Sequence, residues 1–213
     1  MKKEDITSKE LRQCICLKTG KFYFEDVTEE EIMQIQEMDF RRIKFNGELT
    51  DVELEHLKLF PKLASLAISN FTISEEDLRV ISELKNLKRI QFNSCEFSKD
   101  AKQKLPQEFE EFILMGCENM ESFTFPKSKI VIVKGGDVYF NKIDLDSAKA
   151  LYLQNTVVKN ATDIENYGEL EVVNLNGSKI YTANGTEISK IKVSNRTEFS
   201  KDEELDESLE MDF

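Results

Sequence analysis

The chain has 213 residues, 40% of them apolar, and a formal net charge of −12. This apolar content is enough to form a buried core, which excludes a disordered chain. The negative charge argues against a nucleic-acid partner, because phosphate binding needs clustered Lys and Arg. No segment approaches the roughly 20 apolar residues that cross a bilayer, and no secretory signal is evident. The sequence therefore predicts a cytoplasmic protein without membrane contact.

Residues 1–39 are expected to form an N-terminal cap. The apolar segments 15–17 and 22–24 flank the turn signal Lys-Thr-Gly-Lys, which predicts a β-hairpin. Thr28 and the acidic residues after it predict a capped helix that runs to Met38. Cys14 and Cys16 would share one face of a strand, where packing is the favoured role over redox chemistry.

From Phe40 onward, alternating apolar residues recur with a period of roughly 20 residues. Eight units begin at Phe40, Leu63, Leu87, Phe109, Ser128, Ala148, Leu170 and Ile188. The clearest unit has Leu87, Ile90, Phe92 and Phe97 at its first, fourth, sixth and eleventh positions and Cys95 at its ninth. This pattern resembles the LxxLxLxx(N/C)xL signature of leucine-rich-repeat proteins, of the bacterial intracellular type with degenerate repeats. The register of the unit at 128–138 could slip by one residue.

The resemblance implies an α/β fold: a right-handed leucine-rich-repeat solenoid over residues 40–199 with one curved parallel β-sheet. Helix caps at Thr50, Ser74 and Ser98 predict helical returns in the first half. Gly and Asn pairs predict short extended returns in the second half. The asparagine ladder at the ninth position, expected in such repeats, is broken, because that position holds Cys, Thr and other residues.

Residues 200–213 are rich in Asp and Glu. Leu205, Leu209 and Phe213 recur at a spacing of four, which favours a C-terminal helix that caps the last repeat. An acidic tail without fixed structure is the alternative reading of the same segment.

Catalytic chemistry has little support in this sequence. The single histidine, His56, falls within the helix that Thr50 caps, and we expect it to be solvent-exposed. The four cysteines form no CxxC pair and are read as free thiols in a reducing compartment. No glycine-rich phosphate loop occurs. We therefore expect no catalytic residue, no cofactor and no metal.

The open, concave face of the predicted sheet is the candidate binding site, because curved repeat surfaces commonly contact other proteins. The second, third, fifth and seventh positions of each unit point to it, and most of the charged side chains there are basic. The candidate partner-binding residues are Arg41, Arg42, Lys44, Lys88, Arg89, Ile113, Met115, Ile130, Ile132, Lys134 and Tyr152. We call Ile113, Met115, Ile130, Ile132 and Tyr152 the apolar strip; Lys129, Lys134 and Lys149 flank it.

The predicted function is that of a noncatalytic protein-binding module, monomeric when free, whose concave face binds an unidentified protein. A more specific alternative is an immunity or inhibitor protein that neutralises a toxin or effector enzyme. Two readings of the face remain open. A loop of this same chain could cover the apolar strip, or the basic residues could bind nucleic acid, although Tyr152 would be the one aromatic platform for stacking bases.

Overall fold

The computed structural model describes residues 2–40, 54–101, 105–106, 108–120, 123–139, 148–159, 172–174 and 176–181. The strands, in chain order, are β1 (Glu37–Asp39), β2 (Ser65–Ser69), β3 (Thr72–Ile73), β4 (Arg89–Asn93), β5 (Glu96–Phe97), β6 (Phe109–Met115), β7 (Ser128–Lys134), β8 (Asp137–Tyr139), β9 (Ala150–Gln154), β10 (Val157–Lys159), β11 (Val172–Asn174) and β12 (Lys179–Ile180). The helices that lie wholly within the described residues are α1 (Lys9–Thr19), α2 (Glu29–Gln34) and α3 (Glu75–Glu83). Short 3-10 helices occupy Lys3–Asp5, Phe24–Asp26 and His56–Leu59.

The main sheet has seven parallel strands in the order β1-β2-β4-β6-β7-β9-β11. The segments that return between them carry a parallel sheet of β12, β10 and β8, a parallel pair of β3 and β5, and the helix α3. Each turn of the chain thus adds one strand beside the equivalent strand of the preceding turn. This arrangement is a parallel-strand β-solenoid with some helices.

The N-terminal cap differs from the prediction, since residues 15–17 belong to helix α1 and not to a hairpin. The side chain of Ser8 caps this helix by accepting a hydrogen bond from the Leu11 N–H, and Gly20 ends it with a φ of 69°. The exposed Lys-Thr-Gly-Lys turn is therefore a helix C-cap, for which a left-handed glycine is the usual signal. Cys14 and Cys16 lie on this helix, so they do not share a strand face.

The second predicted helix is real but short. Thr28 and Glu31 form the expected capping box, yet α2 ends at Gln34 and β1 begins at Glu37. Met38 pairs with Leu66, and the Phe40 N–H donates to the Ala67 carbonyl at 2.9 Å. The first repeat is therefore built on Ile35, Met38 and Phe40, all buried, and the predicted start at Phe40 is wrong by five residues.

From β2 to β9 the predicted register agrees with the strand pairing, including the uncertain unit at 128–138. The fourth-position residues Leu66, Ile90, Phe112, Val131 and Leu151 lie side by side in neighbouring strands and are buried. Alternation of inward and outward side chains along each strand explains this agreement, because a one-residue slip would expose every core residue.

Phenylalanine rings connect the main sheet to the return segments. The Phe112 ring of β6 lies 5.9 Å from Phe123 and 5.6 Å from Phe125, measured between centroids. Phe123 in turn lies 4.6 Å from Phe97 of β5. Such close ring pairs add roughly 0.5–1.5 kcal/mol each beyond area burial. The core beneath β4 and β6 thus contains a continuous cluster of aromatic rings.

A left-handed residue ends five of the main strands. Asn70, Ser94, Gly116, Gly135 and Asn155 have φ values between 48° and 72°. Each donates its backbone N–H to a carbonyl of the next turn; Asn70, for example, bonds to the Asn93 carbonyl at 2.9 Å. The acceptor is the last strand residue in four of the five turns, whereas Asn155 donates to Asn176, beyond the end of β11. Asparagine is tolerated in this conformation, which explains why Asn70 and Asn155 stand one place before the expected ladder position.

Thiols and a hydroxyl occupy the ladder position that asparagine leaves. The Sγ of Cys95 donates to the Ile68 carbonyl at 3.7 Å, and that of Cys117 to the Phe92 carbonyl at 3.3 Å. The Oγ1 of Thr156 donates to the Val133 carbonyl at 3.1 Å. In each case the acceptor is the sixth-position residue of the preceding turn. Three turns therefore have a side-chain rung at this position, two from weakly donating thiols and one from a hydroxyl, whereas Phe71 and Gly136 provide none.

Candidate protein-binding face

The outward side chains of the main sheet form an outer face, arranged in rows by the parallel register. The middle row runs Ala67, Gln91, Ile113, Ile132 and Tyr152 across β2, β4, β6, β7 and β9. Neighbouring parallel strands lie about 4.8 Å apart, so these side chains are in lateral contact range. The register therefore brings the predicted apolar strip together on three adjacent strands.

The part of the outer face on β2 and β4 is small and internally bonded. Ser65, Ala67 and Ser69 are buried, although they point to the outer face. The Nε2 of Gln91 donates to Asn93 Oδ1 at 2.9 Å, and the Nδ2 of Asn93 donates to Ser69 Oγ at 3.3 Å. Polar groups that bond to one another leave little for a partner to satisfy.

Two predicted basic residues are neutralised by the next strand. Arg89 donates to Glu111 Oε2 from both Nε, at 2.9 Å, and Nη2, at 2.7 Å. Lys88 Nζ lies 3.4 Å from Glu110 Oε1. The sequence contained this signal, because each pair holds the same repeat position in adjacent units. The β4 region is consequently less basic than its Lys and Arg content suggests.

The first strand also lowers the charge of the outer face. In the corrected register, β1 presents Glu37 and Asp39 there, beside Ser65 and Ala67. Three predicted site residues, Arg41, Arg42 and Lys44, lie outside the described residues. Their assignment rested on the unit that starts at Phe40, which the pairing of Met38 with Leu66 replaces.

The apolar strip differs from the β2–β4 part of the face in chemistry. Ile113 is 5% exposed and is the buried member of the strip. Ile130, Ile132, Met115 and Tyr152 are half-buried, and Ile132 lies between Ile113 and Tyr152 in the row. A cluster of one buried and four half-buried apolar side chains retains surface that a partner can remove from water, at about 25 cal/mol per Å².

Two lysines border the apolar strip without a carboxylate partner among the described residues. Lys129 is exposed and directly precedes Ile130, whereas Lys134 is half-buried and pairs in register with Met115. On the neighbouring strands β4 and β6, Lys88 is instead paired with Glu110 and Arg89 with Glu111. The strip therefore has a local positive charge.

Cys14 and Cys95 have the properties of packing groups. Burial, with a smaller contribution from Asp39, raises the pKa of Cys14 to about 12. A hydrogen bond with Cys117, together with burial, raises the pKa of Cys95. Both thiols are consequently protonated at neutral pH, which is the unreactive form. All four cysteines are free thiols.

The position of His56 corrects the sequence prediction. It begins a 3-10 helix and is 4% exposed, not solvated. Its Nδ1 atom has no hydrogen-bond partner among the described residues. Among all the described residues, no cluster of His, Cys, Asp and Glu side chains could hold a metal ion. No helix of the described residues is long and apolar enough to cross a membrane.

One exposed apolar surface was missed by sequence reasoning. In the N-terminal cap, Phe22 is 96% exposed, while Leu17 and Tyr23 are each 68% exposed. The prediction had placed the segment 22–24 in a strand of the cap hairpin. The left-handed Gly20, which turns the chain away at the end of α1, is the sequence signal that could have revealed this surface.

No family model matches the chain, and no curated protein is significantly similar to it. Among solved structures, it is similar to internalin C2 from Listeria monocytogenes, with a TM-score of 0.40, 12% identity, and coverage of 87% of this chain and 93% of that one. It is also similar to an internalin, inlF, from the same organism, with a TM-score of 0.32, 10% identity, and coverage of 92% and 77%. The fold assignment rests on the strand pairing described above, not on these two likenesses.

Proposed function

We propose that the chain is a noncatalytic protein-binding module whose outer face, the concave face of the predicted solenoid, binds another protein through the apolar strip. The observation that carries this proposal is the register of Ile113, Ile132 and Tyr152. It places three large apolar side chains in one row, with Ile132 and Tyr152 half-buried.

The strip has the composition of a protein interface core. Such cores are apolar, rich in aromatic and Met side chains, and surrounded by a polar rim that excludes water. Tyr152 provides a rigid anchor with a polar hydroxyl, and Met115 provides an adaptable side chain. Lys129 and Lys134 belong to the rim. Ile113 gives the strip a buried and therefore fixed base.

Three further features belong to the proposal. We take the solenoid to be a right-handed leucine-rich-repeat domain that acts in the cytoplasm and is monomeric when free. The buried His56 and the raised pKa of Cys14 favour a noncatalytic role, because a general base or a nucleophile needs access and a pKa near neutrality.

The proposal is tested by affinity capture from a lysate of the source organism, with the wild-type chain and the double variant Ile132→Asp, Tyr152→Ala. A charged residue in the middle row and loss of the aromatic anchor should abolish capture of the specific partner, since centre-of-interface changes cost at least about 2 kcal/mol. The double variant must retain the circular dichroism spectrum and the thermal midpoint of the wild-type chain.

A matched control is Val157→Asp with Tyr181→Ala, which makes the same kinds of change on the return side of the solenoid. Val157 and Tyr181 are both half-buried there. Capture by this control should equal that of the wild type. Equal capture by the strip variant would remove the strip as the binding site, and loss in both variants would indicate a general effect on folding.

A further inference from the structure

The apolar strip and the β2–β4 part of the outer face differ most in how their charges are arranged. On β4 and β6, Arg89 is bonded to Glu111 by two nitrogen atoms, so the positive charge is satisfied inside the sheet. One strand further on, Ile130 takes the place in the row that Glu111 occupies in β6. The acidic side chain is thus replaced by an apolar one on β7, the strand that carries Lys129 and Lys134.

Lys129 and Lys149 occupy equivalent places in adjacent turns, joined by the hydrogen bond from the Lys149 N–H to the Lys129 carbonyl at 2.8 Å. In the preceding turn the same place holds Glu110, which is the partner of Lys88. Lys134 lies at the other end of β7. Cations therefore stand at both ends of the half-buried residues Ile130 and Ile132.

The distance over which these charges act decides which ligand they favour. The Debye length is about 8 Å at physiological ionic strength. A rise of about 3.3 Å per residue along β7 places Lys129 beside Ile130 and Lys134 about 7 Å from Ile132, within that range of a ligand on the strip. A ligand on the strip consequently experiences the local lysines more strongly than the average charge.

On this basis we infer that the partner presents an acidic segment with apolar anchors: its carboxylates lie beside Lys129 and Lys134, and an apolar side chain rests on Ile132 and Tyr152. This inference rests on the proposed function, because it names the chemistry of the segment that the same strip binds. A basic segment would meet two cations in the rim with no compensating carboxylate from the described strip.

The test uses two short synthetic peptides that share the same leucine and phenylalanine anchors, one with glutamate and the other with lysine at the remaining positions. Fluorescence anisotropy measures their binding to the full chain. The acidic peptide should bind and the basic peptide should not. The double variant Lys129→Glu, Lys134→Glu should weaken acidic-peptide binding on the order of ten-fold, from the loss of two ion pairs and the gain of two repulsions.

The control variant is Lys9→Glu with Lys85→Glu, two exposed lysines away from the outer face, which alters the net charge by the same amount. It should leave the affinity for the acidic peptide unchanged. An equal loss in both variants would mean that net charge, not the strip, governs binding, and would overturn the inference. Absence of binding by the acidic peptide would overturn it as well.

The Ile132→Asp variant separates this inference from the proposed function. If the basic peptide binds and Ile132→Asp abolishes that binding, the strip is a binding site but its preference for acidic segments is wrong. If the acidic peptide binds equally well to wild type and Ile132→Asp, the strip is not its site, and the inference fails together with its structural basis.

Discussion

The two parts of the outer face have the same backbone and opposite surface chemistry. On β2 and β4, small or polar side chains bond to one another, as in the contact of Asn93 with Ser69. On β6, β7 and β9, isoleucines and Tyr152 occupy the same rows, and Lys129 and Lys134 lack a described carboxylate partner. In one sheet, the polar side chains of β2 and β4 therefore bond to one another, whereas the apolar side chains of β6, β7 and β9 keep surface that a partner could cover.

The largest expected effect concerns the core that both parts share. Phe112 is fully buried under β6, between the two parts, and contacts Phe92, Phe109, Phe123 and Phe125. Phe112→Ala should lower the free energy of unfolding by about 3–5 kcal/mol, through lost burial and the cavity left behind. Urea denaturation followed by circular dichroism measures this loss.

The same experiment shows whether the two parts form one cooperative unit. If they do, Phe112→Ala shifts a single transition to lower urea concentration. Two separate transitions would show that the β2–β4 part and the strip part fold independently, contrary to the continuous phenylalanine core described above.

A smaller effect is expected in the ladder beneath the strip. Thr156 is 1% exposed and donates to the Val133 carbonyl, and valine has nearly the same shape as threonine. Thr156→Val should destabilise the chain by about 1–3 kcal/mol, because a buried carbonyl loses its hydrogen bond. Thermal denaturation, with Ser178→Ala as a variant at the equivalent but half-buried site, measures the difference. An unchanged midpoint would show that the hydrogen bond of the Thr156 hydroxyl does not contribute to the stability of the chain.

The smallest effect belongs to the β4–β6 ion pair. Arg89 and Glu111 are half-buried, with 30% and 22% of their side chains exposed. Glu111→Gln should cost less than about 1 kcal/mol of stability and should leave partner capture unchanged, because ion pairs that remain accessible to solvent contribute little. Loss of capture in this variant, with stability retained, would extend the binding site into the β2–β4 part of the outer face.

Much of the sheet could be predicted from the sequence because each strand signals its inward side by alternation. The pairs Ile90 and Phe92, and Val131 and Val133, were placed correctly on that basis. The first repeat could not be placed in this way. The strand at Glu37–Asp39 presents one core side chain, Met38, which also fits the end of a helix capped at Thr28. Local patterns did not distinguish the two.

The cap was mispredicted for a related reason. Its apolar run 14–17 is short and contiguous, and periodicity cannot assign such a run to a strand or to a buried helix. Ser8 and Gly20 were the decisive residues, since they cap the two ends of α1. For the candidate site, alternation predicted that the strip residues share one face of the sheet, but the neutralisation of Arg89 required comparing equivalent positions of adjacent units.

The most direct test of a binding site on the apolar strip is hydrogen–deuterium exchange of the chain, free and bound to its captured partner. Binding at the strip should slow exchange at the backbone amides of β6, β7 and β9, with no change in β2 or in the segment that contains Phe22. Protection confined to that segment or to the return sheet of β8, β10 and β12 would contradict it.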